Sequence, residues 1–195
     1  MKIIHQEYQK TKIKKIVNNL KALLFTTLFA LLIISCNKDD DKPLTELEKL
    51  PPATQVGANT FGCLLDDKAF IPAGGINPLD CVYQFVDGGY YFALQGNKRN
   101  IDNIGVLIGL STNNLEINPN ISYSLNDNFT GKAYGSYALA GIFSETNNIQ
   151  TGFLNITNLD TQNQIVSGTF WFDVIDFQRN PHQIREGRFD MQYTQ

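Results

Sequence analysis

Hydrophobic and polar residues alternate in short runs from residue 59 onward, and no segment after residue 60 repeats with the period of a helix. The most regular run is 164–176, which places Val166, Gly168, Phe170, Phe172 and Val174 on one face of a strand. A period of two indicates strands with one buried face. The pattern therefore predicts an all-β domain of about nine short antiparallel strands.

Turn-forming residues separate these runs. The segments 66–68, 87–89 and 146–148 are predicted to connect hairpins. Consecutive hairpins favour a meander, folded as a sandwich or a lipocalin-like barrel. Glycines recur just before bulky residues, as at Gly168 and Gly187, which predicts either that the sheet bends sharply there or that aromatic rings from neighbouring strands lie over them.

The N-terminal segment has a different pattern. Residues 1–21 contain six lysines and one acidic residue, and residues 22–34 are uncharged and mostly apolar. A basic region followed by a short apolar region is typical of a secretory signal peptide. As a helix, the apolar run rises only ~20 Å, which is less than the ~30 Å of a membrane core. We therefore assign residues 1–35 to a signal helix.

Residues 33–36, Ile-Ile-Ser-Cys, resemble the lipobox of bacterial lipoproteins. The resemblance implies that the Cys36 sulfur carries a diacylglyceryl group and that acyl chains attach the protein to a membrane. The alternative is a buried free cysteine that follows a cleaved signal. A lysine and three aspartates follow, Lys38, Asp39, Asp40 and Asp41. They resemble the surface-export signal of Bacteroidota lipoproteins, or they belong to a solvated acidic linker.

These resemblances imply an outer-membrane lipoprotein that faces the cell exterior, with the periplasmic face as the alternative. We assign residues 36–58 to a flexible, acidic, proline-containing tether and residues 59–195 to a single domain. Six of the sixteen basic residues and one of the nineteen acidic residues precede residue 36. The remaining chain carries ten basic and eighteen acidic residues, a net charge of −8, which disfavours nucleic acid as a partner.

Cys63 and Cys81 remain after the predicted cleavage. They form either a disulfide, which an exported protein permits, or two buried free thiols. We predict no metal site, because the chain after residue 36 has one histidine and no Cys-x-x-Cys pair. We also predict no cofactor, because the chain contains no phosphate-binding or calcium-binding loop motif.

Candidate catalytic residues are few. His182 follows a proline in a predicted loop, where a solvated histidine is the usual case. Asp173 and Asp176 flank a strand end and would form the carboxylate pair of a glycosidase only if they converged. We therefore predict no catalytic residues and no enzyme. Trp171 faces away from Phe170 and Phe172, where it would either contact a ligand such as a sugar or peptide or, more usually, pack under a loop or in a second core layer.

Two stretches resemble a Bacteroidota lipoprotein family that is known only as a domain of unknown function. One is the Leu-Pro-Pro-Ala-Thr-Gln tether and Asn-Thr-Phe-Gly-Cys opening in residues 50–72, and the other is the Gly-Arg-Phe-Asp strand at 187–190. The resemblance implies an exported, lipid-anchored all-β domain and no particular activity. We expect a non-enzymatic binding or structural domain; the alternatives are a lipocalin-like carrier of a small apolar ligand and a glycan-active hydrolase.

Overall fold

The computed structural model describes residues 42–74 and 77–195. The predicted signal peptide, Cys36 and the charged residues 38–41 lie outside the described residues. Leu44–Gln195 form one compact unit, so the structured domain begins before residue 59, where the sequence pattern places its start. No helix in the described part of the chain is long and apolar enough to cross a membrane.

The described residues form eleven strands in one mostly antiparallel sheet, which confirms the predicted all-β class. They are β1 (Thr60–Leu65), β2 (Lys68–Phe70), β3 (Leu79–Val86), β4 (Gly89–Arg99), β5 (Gly105–Asn113), β6 (Ile121–Leu125), β7 (Lys132–Leu139), β8 (Ile142–Glu145), β9 (Gly152–Asp160), β10 (Ile165–Ile175) and β11 (Pro181–Gln192). Their order in the sheet is β2-β1-β11-β10-β9-β6-β7-β5-β4-β3, and β8 pairs with β7.

Two of the three predicted hairpin connections are confirmed. Asp66 and Asp67 join β1 to β2, with φ angles of 49° and 62°. Asp87 and Gly88 join β3 to β4, with φ angles of 49° and 80°. Two consecutive residues with positive φ form the type I′ turn, whose twist matches that of paired strands. Aspartate and glycine both tolerate this conformation, so the turns follow directly from the local sequence.

The third hairpin connection, 146–148, was wrongly predicted. Residues 136–145 do not form one strand, because Ala140 and Gly141 have φ angles of 53° and 80° and turn β7 back into β8. β9 then pairs with β6 and β10 and not with β8. A short parallel contact between Leu125 of β6 and Ala133 of β7 joins the two halves of the sheet. The sheet therefore departs from a simple meander.

One hydrophobic cluster occupies the inner side of the sheet and takes residues from every strand except β8. Six phenylalanine rings form a continuous series of contacts within it: Phe70, Phe61, Phe170, Phe172, Phe189 and Phe92. The predicted inner face of β10 is buried at all five positions. A single cluster shared by so many strands requires the sheet to curl around its own core.

The edge strand β3 also contacts the chain after β11. Tyr83 N–H donates to the Thr194 carbonyl at 2.9 Å, and Thr194 N–H donates to the Cys81 carbonyl at 3.0 Å. These two bonds form an isolated bridge and not a full strand pair, so the hydrogen-bonded path of strands does not close into a ring. They protect part of an otherwise exposed edge.

Residues 44–58, assigned to the tether from sequence, pack against the sheet. Leu50 is buried, and the Asp190 carboxylate of β11 accepts five hydrogen bonds. Three come from the backbone N–H groups of residues 56–58, one comes from the Thr54 hydroxyl, and one comes from the Ser167 hydroxyl of β10. We name residues 50–58 the strap, since they cross the outer face of the sheet at Asp190.

Burial alone would raise the pKa of the Asp190 carboxyl. The hydrogen bonds from Thr54, Val56, Gly57 and Ser167 outweigh burial and lower the pKa to about 2. A carboxylate that accepts several N–H and O–H bonds is stabilised in its ionised form. Asp190 therefore holds the strap as an anion.

Cys63 and Cys81 are both buried and both free, so the structure has the second of the two predicted arrangements. Burial raises the pKa of each thiol well above its ordinary value, and the nearby Asp80 carboxylate adds to the effect at Cys81. A thiol held in this protonated form is a poor nucleophile and acts as a small hydrophobic side chain.

Candidate binding groove on the outer face of the sheet

Trp171 lies on the outer face of β10, as the alternating pattern predicts. Its side chain is 38% exposed, whereas Phe170 and Phe172 on either side are 3% and 0% exposed. Thr169 and Asp173 share the outer face with it. Trp171 is therefore neither fully buried under a loop nor fully solvated. The residues around it determine which groups can contact its exposed ring.

A β-bulge places two residues of β11 opposite Trp171. Between the pairs Phe170–Gly187 and Phe172–Ile184, β10 has one residue and β11 has two, Arg185 and Glu186. Glu186 has a φ of 53°, which breaks the alternation along β11 at this point. Bulges bend a strand and redirect its side chains, and they are common next to functional sites.

The bulge brings Arg185 against the indole ring. The guanidinium carbon lies 5.2 Å from the ring centroid, close enough for a cation–π interaction. One terminal nitrogen, Nη2, lies 2.5 Å from Asp173 Oδ1. The other, Nη1, donates to the carbonyls of Phe172 and Ile184 at 3.1 and 2.9 Å. Four contacts therefore hold Arg185 in place beside Trp171.

Phe153 extends the aromatic surface across to β9. It is paired with Trp171 in the β9–β10 register, and the two ring centroids lie 5.8 Å apart with planes tilted by 48°. Tilted aromatic pairs at this distance attract each other beyond the effect of buried area alone. The two half-exposed rings form a shallow angled platform on the sheet surface.

The platform is the floor of a surface groove of about 570 Å³. Its apolar part comes from Phe153 and Trp171, and Ala53 of the strap forms part of one wall. Its polar rim consists of five side chains from β6, β9, β10 and β11: Ser122, Asn155, Thr169, Glu186 and Arg188. We name this site the Trp171 groove. Its volume lies within the ~300–1,000 Å³ that is usual for ligand pockets.

Gly187 permits the close packing beneath the groove. A Cβ atom added at this position would lie 2.6 Å from the ring of Phe170. The ring of Phe189 lies over Gly168 in the same way, so both glycines show the second of the two predicted arrangements. The aromatic core on one side of the sheet therefore fixes the backbone that carries the groove on the other.

The prediction that His182 is a solvated residue in a loop is wrong. His182 belongs to β11, and its half-buried ring lies between two carboxylates, with Nδ1 2.7 Å from Asp66 Oδ2 and Nε2 3.3 Å from Asp176 Oδ2. The ring also stacks on Tyr137 at 4.4 Å. His182 therefore links the β1–β2 turn to the β10–β11 turn, and both of its ring nitrogens are engaged by these contacts.

Asp173 and Asp176 do not share partners. Asp173 pairs with Arg185 beside the groove, whereas Asp176 accepts bonds from Asn180 and Gln178 within the β10–β11 turn. Burial alone would raise the pKa of the Asp176 carboxyl, but hydrogen bonds from Asn180, His182 and Gln178 lower it. The acid of a glycosidase needs a raised pKa, so this arrangement offers no support for such a pair.

Among residues 42–74 and 77–195, no group of three or more histidine, cysteine or acidic side chains could hold a metal ion. The sequence pattern places Trp171 on the outer face but does not reveal the groove, its other residues Phe153 and Arg185, or the bulge. A comparison of the chain with known protein families, curated proteins and solved structures finds no significant match. The fold and the groove together define an all-β protein with a groove on the outer side of its sheet, lined by two partly exposed aromatic rings.

Proposed function

We propose that the protein is a lipid-anchored envelope lipoprotein whose β-domain binds a ligand at the Trp171 groove and performs no catalysis. The lipobox at Cys36 supports the anchor, and the charged residues 38–41 support display on the outer membrane facing the cell exterior. The observation that carries the binding role is the groove itself, in which a bulge holds Arg185 against a half-exposed tryptophan.

The charged groups around the groove favour binding over catalysis. Arg185 is paired with Asp173, and Arg188 lies 3.8 Å from Glu186. A general acid or base must be free to exchange a proton with a substrate. Side chains fixed in ion pairs are better suited to hold a ligand by hydrogen bonds.

The alternative of a carrier with an internal apolar ligand finds no support, because phenylalanine rings occupy the inner side of the sheet.

Lipid attachment is tested by the substitution Cys36→Ala. The expected product is an uncleaved precursor that does not incorporate labelled palmitate, since the sulfur is the site of lipid transfer. A serine substitution at the same position is the matched control for side-chain size and should behave like alanine. Palmitate labelling of either variant would overturn the proposed anchor.

Surface display is tested by replacing Lys38, Asp39, Asp40 and Asp41 together with alanine. The variant should keep its palmitate label but lose its sensitivity to protease added to intact cells. The matched control replaces the four polar residues 126–128 and 130, which lie in a loop of the domain, with alanine. Equal protease sensitivity of the first variant and the wild type would reduce residues 38–41 to a plain linker.

A further inference from the structure

We infer that the ligand of the Trp171 groove is a neutral glycan, one sugar ring of which stacks on Trp171 and Phe153. The inference rests on the proposed binding function and specifies its ligand class. A sugar ring has an apolar C–H face and an edge of hydroxyl groups. The groove offers the matching combination of an aromatic floor and a polar rim.

The floor matches the C–H face of a sugar. Trp171 and Phe153 are both partly exposed although they lie in adjacent central strands, so part of each ring remains open to solvent there. Covering it with C–H groups removes apolar area from water, which is favourable. Arg185 lies over the indole ring and restricts its movement, so the platform is formed before the ligand arrives.

The rim matches the hydroxyl edge, because a sugar hydroxyl both donates and accepts hydrogen bonds. Ser122 and Thr169 contribute hydroxyl groups, Arg188 contributes N–H donors, and Glu186 contributes acceptor oxygens. The Ser122 hydroxyl donates to Asn155 Oδ1 at 3.3 Å, so Asn155 can offer its NH₂ group to a ligand. The mixture of donors and acceptors suits several hydroxyl groups on one ring.

The charge of the groove argues against an acidic ligand. Its two arginines each have an acidic neighbour, Asp173 for Arg185 and Glu186 for Arg188, so the groove is close to neutral. The chain that follows residue 35 has a net charge of −8, which would repel a polyanion. A glycan without carboxylate or sulfate groups avoids this cost.

The sheet topology argues against an extended peptide. A peptide that binds as an added strand requires an unpaired strand edge. β9 is paired with β6 and β10, β10 with β9 and β11, and β11 with β10 and β1. The groove therefore lies on the face of fully paired strands, and a ligand must be held by side chains alone.

The test uses the full-length chain purified in detergent. The probes are soluble neutral glucan, mannan and xylan, the acidic polymer polygalacturonate, and a mixture of peptides from digested casein. Binding is followed by calorimetry. We expect at least one neutral glycan to bind, Trp171→Ala and Phe153→Ala to weaken binding at least tenfold, and Trp171→Phe to retain part of it. Phe85→Ala, which removes a 62% exposed ring outside the groove, is the matched control and should bind normally.

The outcomes separate the ligand class from the binding role. If only polygalacturonate or a peptide binds, and Trp171→Ala abolishes that binding, the groove is a binding site but the neutral-glycan inference is wrong. If a neutral glycan binds equally well to wild type and Trp171→Ala, the glycan does not use the groove. If no probe binds up to millimolar concentration, both the inference and the proposed binding role lose their support, whereas the palmitate result at Cys36 is unaffected.

Discussion

The two faces of β10 carry neighbouring aromatic residues in opposite surroundings. On the inner face, Phe170 and Phe172 contact other phenylalanine rings in one apolar cluster. On the outer face, Trp171 contacts one aromatic ring and one guanidinium, with hydroxyl, amide and carboxylate groups around it. The comparison teaches that one strand can contribute to a packed core on one side and to an open aromatic surface on the other.

The largest expected effect is on the inner face. Phe172→Ala removes a fully buried ring and should lower the free energy of unfolding by about 3–5 kcal/mol, because it leaves a cavity in a packed cluster. Trp171→Ala removes a ring that is already 38% exposed and should cost clearly less. Urea unfolding of the fragment 42–195 measures both. Equal losses would show that the outer face is part of the core.

A second comparison lies within the outer face, which is open at Trp171 and covered by the strap at Asp190. Asp190→Ala should lower the free energy of unfolding by about 3 kcal/mol, because it removes a buried carboxylate that accepts five hydrogen bonds. Hydrogen exchange at residues 56–58 should accelerate as the strap detaches. Ser167→Ala removes one of the five bonds and is the matched control, with an expected cost of about 1 kcal/mol.

Acid should weaken the strap through the same carboxylate. The pKa of Asp190 is about 2 in the folded protein, below its ordinary value of 3.8, so protonation favours the unfolded state. The corresponding stability, about 2 kcal/mol, is present above pH 4 and is lost as the pH falls from 4 towards 2. Asp190→Asn should lack this component of the pH dependence in urea unfolding measured from pH 6 to pH 2. Identical pH profiles for wild type and variant would contradict the assignment.

The smallest expected effect on stability is that of Arg185→Ala. Its ion pair with Asp173 is partly exposed, and such pairs contribute at most about 1 kcal/mol. Its effect on the groove should be larger, because the indole ring loses the group that lies over it. Tryptophan emission of the variant should therefore shift to longer wavelength while the urea midpoint changes little. A large loss of stability with unchanged emission would make Arg185 a structural residue only.

Local chemistry explains the parts of the fold that the sequence predicted. The period of two identified the buried face of β10, and Asp-Asp and Asp-Gly identified two type I′ turns. In contrast, the Ala140–Gly141 turn lies inside a continuous apolar pattern, and that pattern predicts the interior of a strand at these residues. The pairing of β9 with β6 depends on contacts between distant segments, which no local pattern encodes.

The candidate site was predicted only in part for the same reason. Alternation placed Trp171 on the outer face, but Phe153 and Arg185 reach it from other strands, and the bulge depends on how β10 and β11 align. Asp190 alternates like any solvated residue, and only the fold reveals that the strap covers it. The alternation of polar and apolar residues predicts on which face of the sheet a side chain lies, but it does not predict which segment covers that face.

The two stretches that carry the family resemblance meet in the structure. Thr54, from the Leu-Pro-Pro-Ala-Thr-Gln segment, donates to Asp190, from the Gly-Arg-Phe-Asp strand, at 2.6 Å. The strap also supplies Ala53 to the wall of the Trp171 groove. The strap is therefore part of the domain, and Asp190 attaches it to β11.

Trp171 is the only tryptophan in the chain, so its fluorescence reports on the groove alone. The most direct test of a binding surface on the outer face is acrylamide quenching of this fluorescence, measured with and without a saturating neutral glycan. The account predicts that the glycan lowers the quenching constant in wild type and in the Phe85→Ala control. Calorimetric binding of the glycan with no change in quenching would contradict it, because the ligand would then lie elsewhere on the protein.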